Sequence, residues 1–200
     1  MQIEKIKIPD NVKSLRIDVG LSDGPPHASA WLREIEDVFV IGFEPVRHSF
    51  IASSKMLSQI PNSDKRYILY HCALDNVSEP TIATINVTHP NIGCSSLYWP
   101  KYGWKQKPRK IEKCDVVNIN SILDKFPWGK NGIDHIDYLK MDTQGKDLDI
   151  FLSISEEHKK RIIFLKMETS IHDDYVTMSG ENVIYEQDHV IKTILNSGFE

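Results

Sequence analysis

The residues with the plainest chemical content lie near the start of the chain, where the apolar run Leu15–Val19 leads into Gly20-Leu21-Ser22-Asp23-Gly24. A glycine directly behind a short strand allows a tight turn and a close approach of ligand to backbone. Asp18, at the strand end, offers an acceptor to a ligand ammonium, and Gly24 lets a helix begin close to the strand. About twenty residues on, where an acidic group reads a ribose in nucleotide-binding sheets, Val38–Phe43 runs into Glu44-Pro45. A carboxylate at that strand tip suits both hydroxyls of a ribose, and it equally suits the N-terminus of a following helix. The spacing departs from G-x-G-x-x-G, and Asp23 repels a pyrophosphate. An adenosine-bearing ligand with a cationic sulfonium fits this acidic loop better than a dinucleotide does. An ordinary strand-to-helix turn rich in Gly and Asp is the alternative.

These groups meet only if strand ends converge, and the chain alternates short β-rich runs with helical stretches. Strands are expected at Leu15–Val19, Val38–Phe43, Tyr67–Leu74, Thr81–Val87, Val116–Ile119, Ile136–Met141 and Arg161–Met167. Helices are expected at Ala28–Ile35 behind Pro25-Pro26, from Pro45 to about Gln59, and at Ser121–Phe126, Lys146–Ile154 and His189–Asn196. Strands alternating with helices imply βαβ units. The expected fold is a doubly wound, Rossmann-like α/β domain over residues 1–200, with ligands beyond the C-terminal strand ends.

Composition narrows the partners. A net charge of −4 argues against a strongly basic nucleic-acid binder. Charged residues at 26% and hydrophobic residues at 40% describe an ordinary globular protein. No apolar run approaches the ~20 residues that span a bilayer, and MQIEKIKIPD has no apolar signal core. A cytoplasmic protein without membrane partners is expected. Cys72, Cys94 and Cys114 are too few and too scattered for a disulfide framework or a four-ligand zinc site.

Ordered blocks along the chain resemble the FkbM-type S-adenosylmethionine-dependent methyltransferases. They are Asp18-Val19-Gly20 with Gly24, Gly42-Phe43-Glu44-Pro45, His71-Cys72-Ala73-Leu74, Cys94-Ser95-Ser96-Leu97, and Leu139-Lys140-Met141-Asp142-Thr143-Gln144-Gly145. The resemblance implies a Rossmann-like methyltransferase sheet binding S-adenosylmethionine. Asp18, Gly20, Ser22 and Gly24 would line its methionine end, Glu44 with Pro45 would hold the ribose, and Ala73 and Leu74 would lie beside the adenine. Asp142 would face the methyl group and the acceptor. Ser22 stands where the family often has Asn, Gln144 where an acid is common, and Asp147 where Glu is usual. The family's association with hydroxyl acceptors implies O-methylation of a small molecule or glycan.

Such an acceptor needs its proton removed by a carboxylate or histidine within reach. Asp142 ranks first, then Glu168, then His172. The run His172-Asp173-Asp174 supplies at most a corner of a metal site, so no metal is expected. Tyr98–Lys113 interleaves aromatic and basic residues and reads as an irregular lid with acceptor recognition on its inner side, in an insertion at about 86–113. The related sheet ends in an antiparallel strand pair that this chain lacks, which leaves Arg161–Met167 at an edge and favours a truncated sequence or a homo-oligomer. A nicotinamide-linked oxidoreductase (NAD) on a similar sheet and a non-catalytic cofactor-binding module are the rival readings.

Overall fold

The computed structural model describes residues 3–89, 91–100, 107–168, 175–176 and 187–199. In chain order the elements are β1 Ser14–Val19, α1 Pro26–Glu34, β2 Val38–Phe43, α2 Arg47–Ser58, β3 Tyr67–Tyr70, β4 Cys72–Leu74, β5 Thr81–His89, β6 Trp99–Pro100 and β7 Lys107–Val117. There follow α3 Asn120–Leu123, β8 Tyr138–Met141, α4 Asp147–Ser153, α5 Glu156–Lys159, β9 Leu165–Met167, β10 Tyr175–Val176 and α6 Gln187–Asn196. Single 3-10 turns occupy Ile92–Cys94 and Lys130–Gly132. No helix among the described residues is long and apolar enough to cross a membrane.

Five parallel strands form the central sheet in the order β3-β2-β1-β8-β9. Every residue of β2 is buried, as expected for a parallel strand covered on both faces. Alternate side chains feed two cores. Val38 and Val40 pack with Leu21, Trp31, Leu32 and Leu57 on the α1–α2 face. Phe39, Ile41 and Phe43 pack with Ile122, Phe126, Leu148 and Phe151 on the other. The sheet is therefore doubly wound, and its strand order reverses beside β1, where β2 leaves on one side and β8 on the other. That reversal is where such sheets open a ligand crevice.

The expected strand over Tyr67–Leu74 divides at His71. Its first half pairs with β2, and its second half joins a separate sheet of order β4-β7-β5. The long irregular lid expected over Tyr98–Lys113 is corrected as well, because β7 begins at Lys107 and pairs antiparallel with the whole of β5. From residue 110 the strand is half solvated: Ile111 and Lys113 lie exposed, while Cys114 and Val116 are buried. The charged residues Lys110, Glu112, Lys113 and Asp115 interrupt the apolar period-two pattern that otherwise marks a strand. Residues 101–106, including Tyr102 and Trp104, lie outside the described residues. The expected edge strand shortens to Leu165–Met167 and pairs only with β8 among the described residues.

Candidate active site

The turn behind β1 is set by its neighbours across the sheet. Gly20 has a φ of +80°, and a Cβ there would lie 2.0 Å from the carbonyl oxygen of Asp142, just past β8. The glycine is thus required by the adjacent strand, before any ligand arrives. Beneath it the buried Lys140 donates to the carbonyls of Val19 (3.2 Å) and Gly20 (2.7 Å) and ion-pairs with Asp18 (Nζ–Oδ1 3.2 Å). The other Asp18 oxygen accepts the N–H of Ala28 at 3.1 Å. Pro25 and Pro26 bring no N–H to the start of α1, so Asp18 caps that helix from the neighbouring strand. It is 1% exposed and does not line the cavity described below. Gly24 does not line it either.

Glu44 clasps the backbone on two sides. Its Oε2 accepts the N–H of Ser22 (2.7 Å), and its Oε1 accepts that of Val46 (2.8 Å) where α2 begins. Burial pushes its carboxyl up to about 7, against the pull of those two bonds. Each carboxylate oxygen retains a further lone pair. Ser22 itself sits at φ +58°, and its carbonyl accepts the Ser53 hydroxyl at 2.7 Å.

These strand ends enclose a cavity of about 380 Å³, within the range of small-molecule sites. Gly20, Ser22, Glu44, Pro45, Ala73, Leu74, Asp142 and Glu168 all line it. Gly20 and Glu44 therefore share one hollow. His172 lies outside the described residues. The segment Asn91–Leu97, inside the substrate insertion expected at about 86–113, forms a further wall, although none of its residues is among the expected site residues. It is knitted by short bonds: Thr88 Oγ1 to the Asn91 carbonyl (2.6 Å), Ser95 Oγ to the Ile92 carbonyl (2.6 Å) and Ser96 Oγ to the Gln144 carbonyl (2.7 Å). A Cβ on Gly93 would lie 3.1 Å from Ser22 Oγ, so this wall rests directly on the β1 turn.

At the mouth the Gln144 amide donates to Asp142 Oδ1 (2.8 Å) and Glu168 Oε2 (2.6 Å). Loss of solvent and the adjacent Asp142 push the Glu168 carboxyl up to about 8. Behind them, buried Asp147 accepts both the N–H (3.1 Å) and the hydroxyl (2.6 Å) of Thr143. Burial raises its carboxyl to about 6. Lys146 also lines the cavity, but its ammonium is held by Asp75 (3.0 Å) and Asp149 (3.2 Å) and lies over the Tyr98 ring. Burial pushes the Cys72 thiol up to about 12, which leaves it a poor nucleophile. No cluster able to hold a metal ion occurs among the described residues.

The lining therefore favours a cation over a phosphate. Its carboxylates are Glu44, Asp142 and Glu168, and its lysine is already matched by two acids. The turn amides that would cradle a phosphate point elsewhere: Gly20 and Leu21 donate to the Phe43 carbonyl, and Ser22 donates to Glu44. At the start of α1 the Ala28 N–H is taken by Asp18, so the helix end that holds pyrophosphate in dinucleotide sites is closed.

Comparison with known proteins gives a family match and one distant structural likeness. Residues 18–200 match the methyltransferase FkbM domain. Among solved structures, the crystal structure of methyltransferase FkbM from Methylobacillus flagellatus KT is similar at 16% identity and a TM-score of 0.46. The likeness covers 77% of this chain and 32% of that one, so the chain spans about a third of the length of that protein. Curated proteins yield no match. The family match takes in all but the first seventeen residues and includes every strand end that shapes the cavity; the chain belongs to the FkbM methyltransferase domain family.

Proposed function

We propose that this protein binds S-adenosylmethionine in the cavity at the β1, β2, β4 and β8 ends and methylates a hydroxyl of a small molecule or glycan. The observation that carries this reading is the pairing of a buried ribose-type carboxylate, Glu44, with an anionic, phosphate-averse lining in one hollow. The residues fit the cofactor. Glu44 has lone pairs left for a diol, the apolar Ala73 and Leu74 offer a wall for a base, and Asp142 and Glu168 place negative charge at the mouth. When bound, the cofactor supplies an electrophilic methyl group on a positively charged sulfur.

The chain's own residues then bind, orient and handle a proton. The β1 turn, locked by Lys140 and the Asp142 carbonyl, fixes the position of Ser22 and through it the Glu44 carboxyl. Holding the reactants near ~3–3.5 Å accounts for much of the rate in such displacements. The Asn91–Leu97 wall screens the hollow from water. Asp142, with Glu168 next to it, is placed to take the acceptor's proton.

Titration calorimetry with S-adenosylhomocysteine and with NAD tests the reading. Binding of S-adenosylhomocysteine, with NAD at least tenfold weaker, is expected. Tight binding of NAD alone overturns the proposal and restores the oxidoreductase alternative. Binding of S-adenosylhomocysteine with no transfer across a panel of hydroxyl acceptors instead identifies a non-catalytic module.

A further inference from the structure

The mouth of the cavity holds one amide between two carboxyls. Gln144 Nε2 lies 2.8 Å from Asp142 Oδ1 and 2.6 Å from Glu168 Oε2. An amide NH2 carries two hydrogens, so both bonds form together. The two receiving oxygens are then acceptors and carry no proton of their own. Two carboxyls brought this close resist ionising together, so a proton retained by Glu168 rests on its oxygen turned away from the amide. The Lys140 ammonium lies 3.9 Å from Asp142 Oδ2. It favours leaving the negative charge on Asp142 and the proton on Glu168.

The amide is also held in place. Gln144 has a φ of +58° and is followed by Gly145 at +109°, a left-handed turn that side-chain-bearing residues adopt only at a cost. Its carbonyl is tied to the buried Ser96 hydroxyl at 2.7 Å. A strained backbone pinned from the opposite wall aims this side chain at the carboxyl pair, and both carboxyls line the cavity.

We infer that Gln144 is a positioning residue that holds Asp142 and Glu168 as a one-proton pair, in which Asp142 takes the proton of the acceptor hydroxyl while Glu168 keeps its own. In that step the acceptor O–H bond breaks, its electron pair stays on the acceptor oxygen, and the proton bonds to the Asp142 carboxylate. The assignment of a hydroxyl acceptor rests on the methyl-transfer reading; the pairing of the carboxyls does not. Among the described residues, the groups that bear on Glu168 include Asp142, Gln144, Asp147 and Lys140. The acids and the loss of solvent raise its carboxyl, and the lysine opposes them.

The test is a carboxyl titration by NMR on the full chain labelled with 13C at Asp and Glu side chains, with Glu168→Gln to assign the signals. In the unaltered protein the Glu168 signal is expected to titrate with a midpoint near 8, in a curve coupled to a second carboxyl. Gln144→Met keeps the side-chain length but removes both donors. It is expected to move the pair's midpoint upward by about one unit, because the ionised forms lose their hydrogen bonds. Gln144→Asn, too short to reach both acids, moves it the same way and replaces the methionine variant if that fails to fold by circular dichroism.

A Glu168 signal titrating in the ordinary glutamate range overturns the inference, and so does a midpoint unmoved in either variant. Calorimetry with S-adenosylhomocysteine on the same samples separates the two ideas. Absent binding by the unaltered protein overturns the methyl-transfer reading. Normal binding with unmoved carboxyls overturns the pair alone.

Discussion

Each Glu44 oxygen accepts one backbone N–H, from Ser22 and from Val46, so a change to glutamine sets an NH2 group against one of those donors. A buried donor left without an acceptor costs about 1–3 kcal/mol. Glu44→Gln is therefore expected to lower the unfolding free energy by about that amount, measured by urea denaturation. Hydrogen bonds to a charged group are worth about 1.5–3 kcal/mol. Affinity for S-adenosylhomocysteine is accordingly expected to fall at least tenfold. Sequence reading expects the ligand loss alone; the clasp on Ser22 adds the stability loss. Unchanged affinity in a folded variant removes Glu44 from the ribose position. The residue's place at a strand tip is legible from the run Val38–Phe43. Its two backbone partners are not, because Ser22 lies 22 positions away and reaches it only after β1 and β2 have paired.

Among the elements, the contact between the β1 turn and the end of β8 ties two walls of the cavity together. Asp142 donates its N–H to the Val19 carbonyl at 3.1 Å, and its own carbonyl occupies the space a Gly20 side chain would need. Gly20→Ala adds a clash with rigid backbone to a left-handed φ of +80°. A loss of about 2–4 kcal/mol is expected from overpacking and strain together, checked by thermal or urea unfolding. A variant as stable as the parent shows that the β1 and β8 ends are free to part. The sequence marks Gly20 as a turn glycine, but reads the close approach as that of a ligand. Lys140 passes unnoticed within the apolar strand Tyr138–Met141 because a lysine there has no local signature. Only the pairing of β1 with β8 puts it under the turn and beside Asp18. The β5–β7 pair is half legible: Thr81–Val87 reads as a strand, whereas the many charged residues in 107–115 obscure its partner in the sequence.

For the molecule taken together, the buried acids set a pH dependence. Glu44 rises to about 7 and Asp147 to about 6 from ordinary values of 4.5 and 3.8. Above the unfolded carboxyl range the unfolded chain has released these protons while the folded protein still holds them. The folded state thus binds more protons, and stability falls as pH rises from about 4.5 until the folded values of about 6 to 7 are passed. At 1.36 kcal/mol per unit the buried Glu44 alone contributes a loss on the order of 3 kcal/mol. Urea denaturation between pH 5 and pH 8 is expected to show this decline, and a flat or rising profile contradicts the burial of these carboxyls. Glu112, whose carboxyl is lowered by Lys110 and the Arg47 N–H, acts in the opposite sense but only below its ordinary range. The sequence by itself determined the doubly wound class, most of the central strands and the family, because apolar periodicity and short motifs are local properties of the chain. The tertiary structure alone decided that Asp18 caps a helix, that Asn91–Leu97 walls the cavity, and that Gln144 lies between two acids. Each of these depends on which strand ends become neighbours, and that is settled by packing across the sheet rather than by distance along the chain.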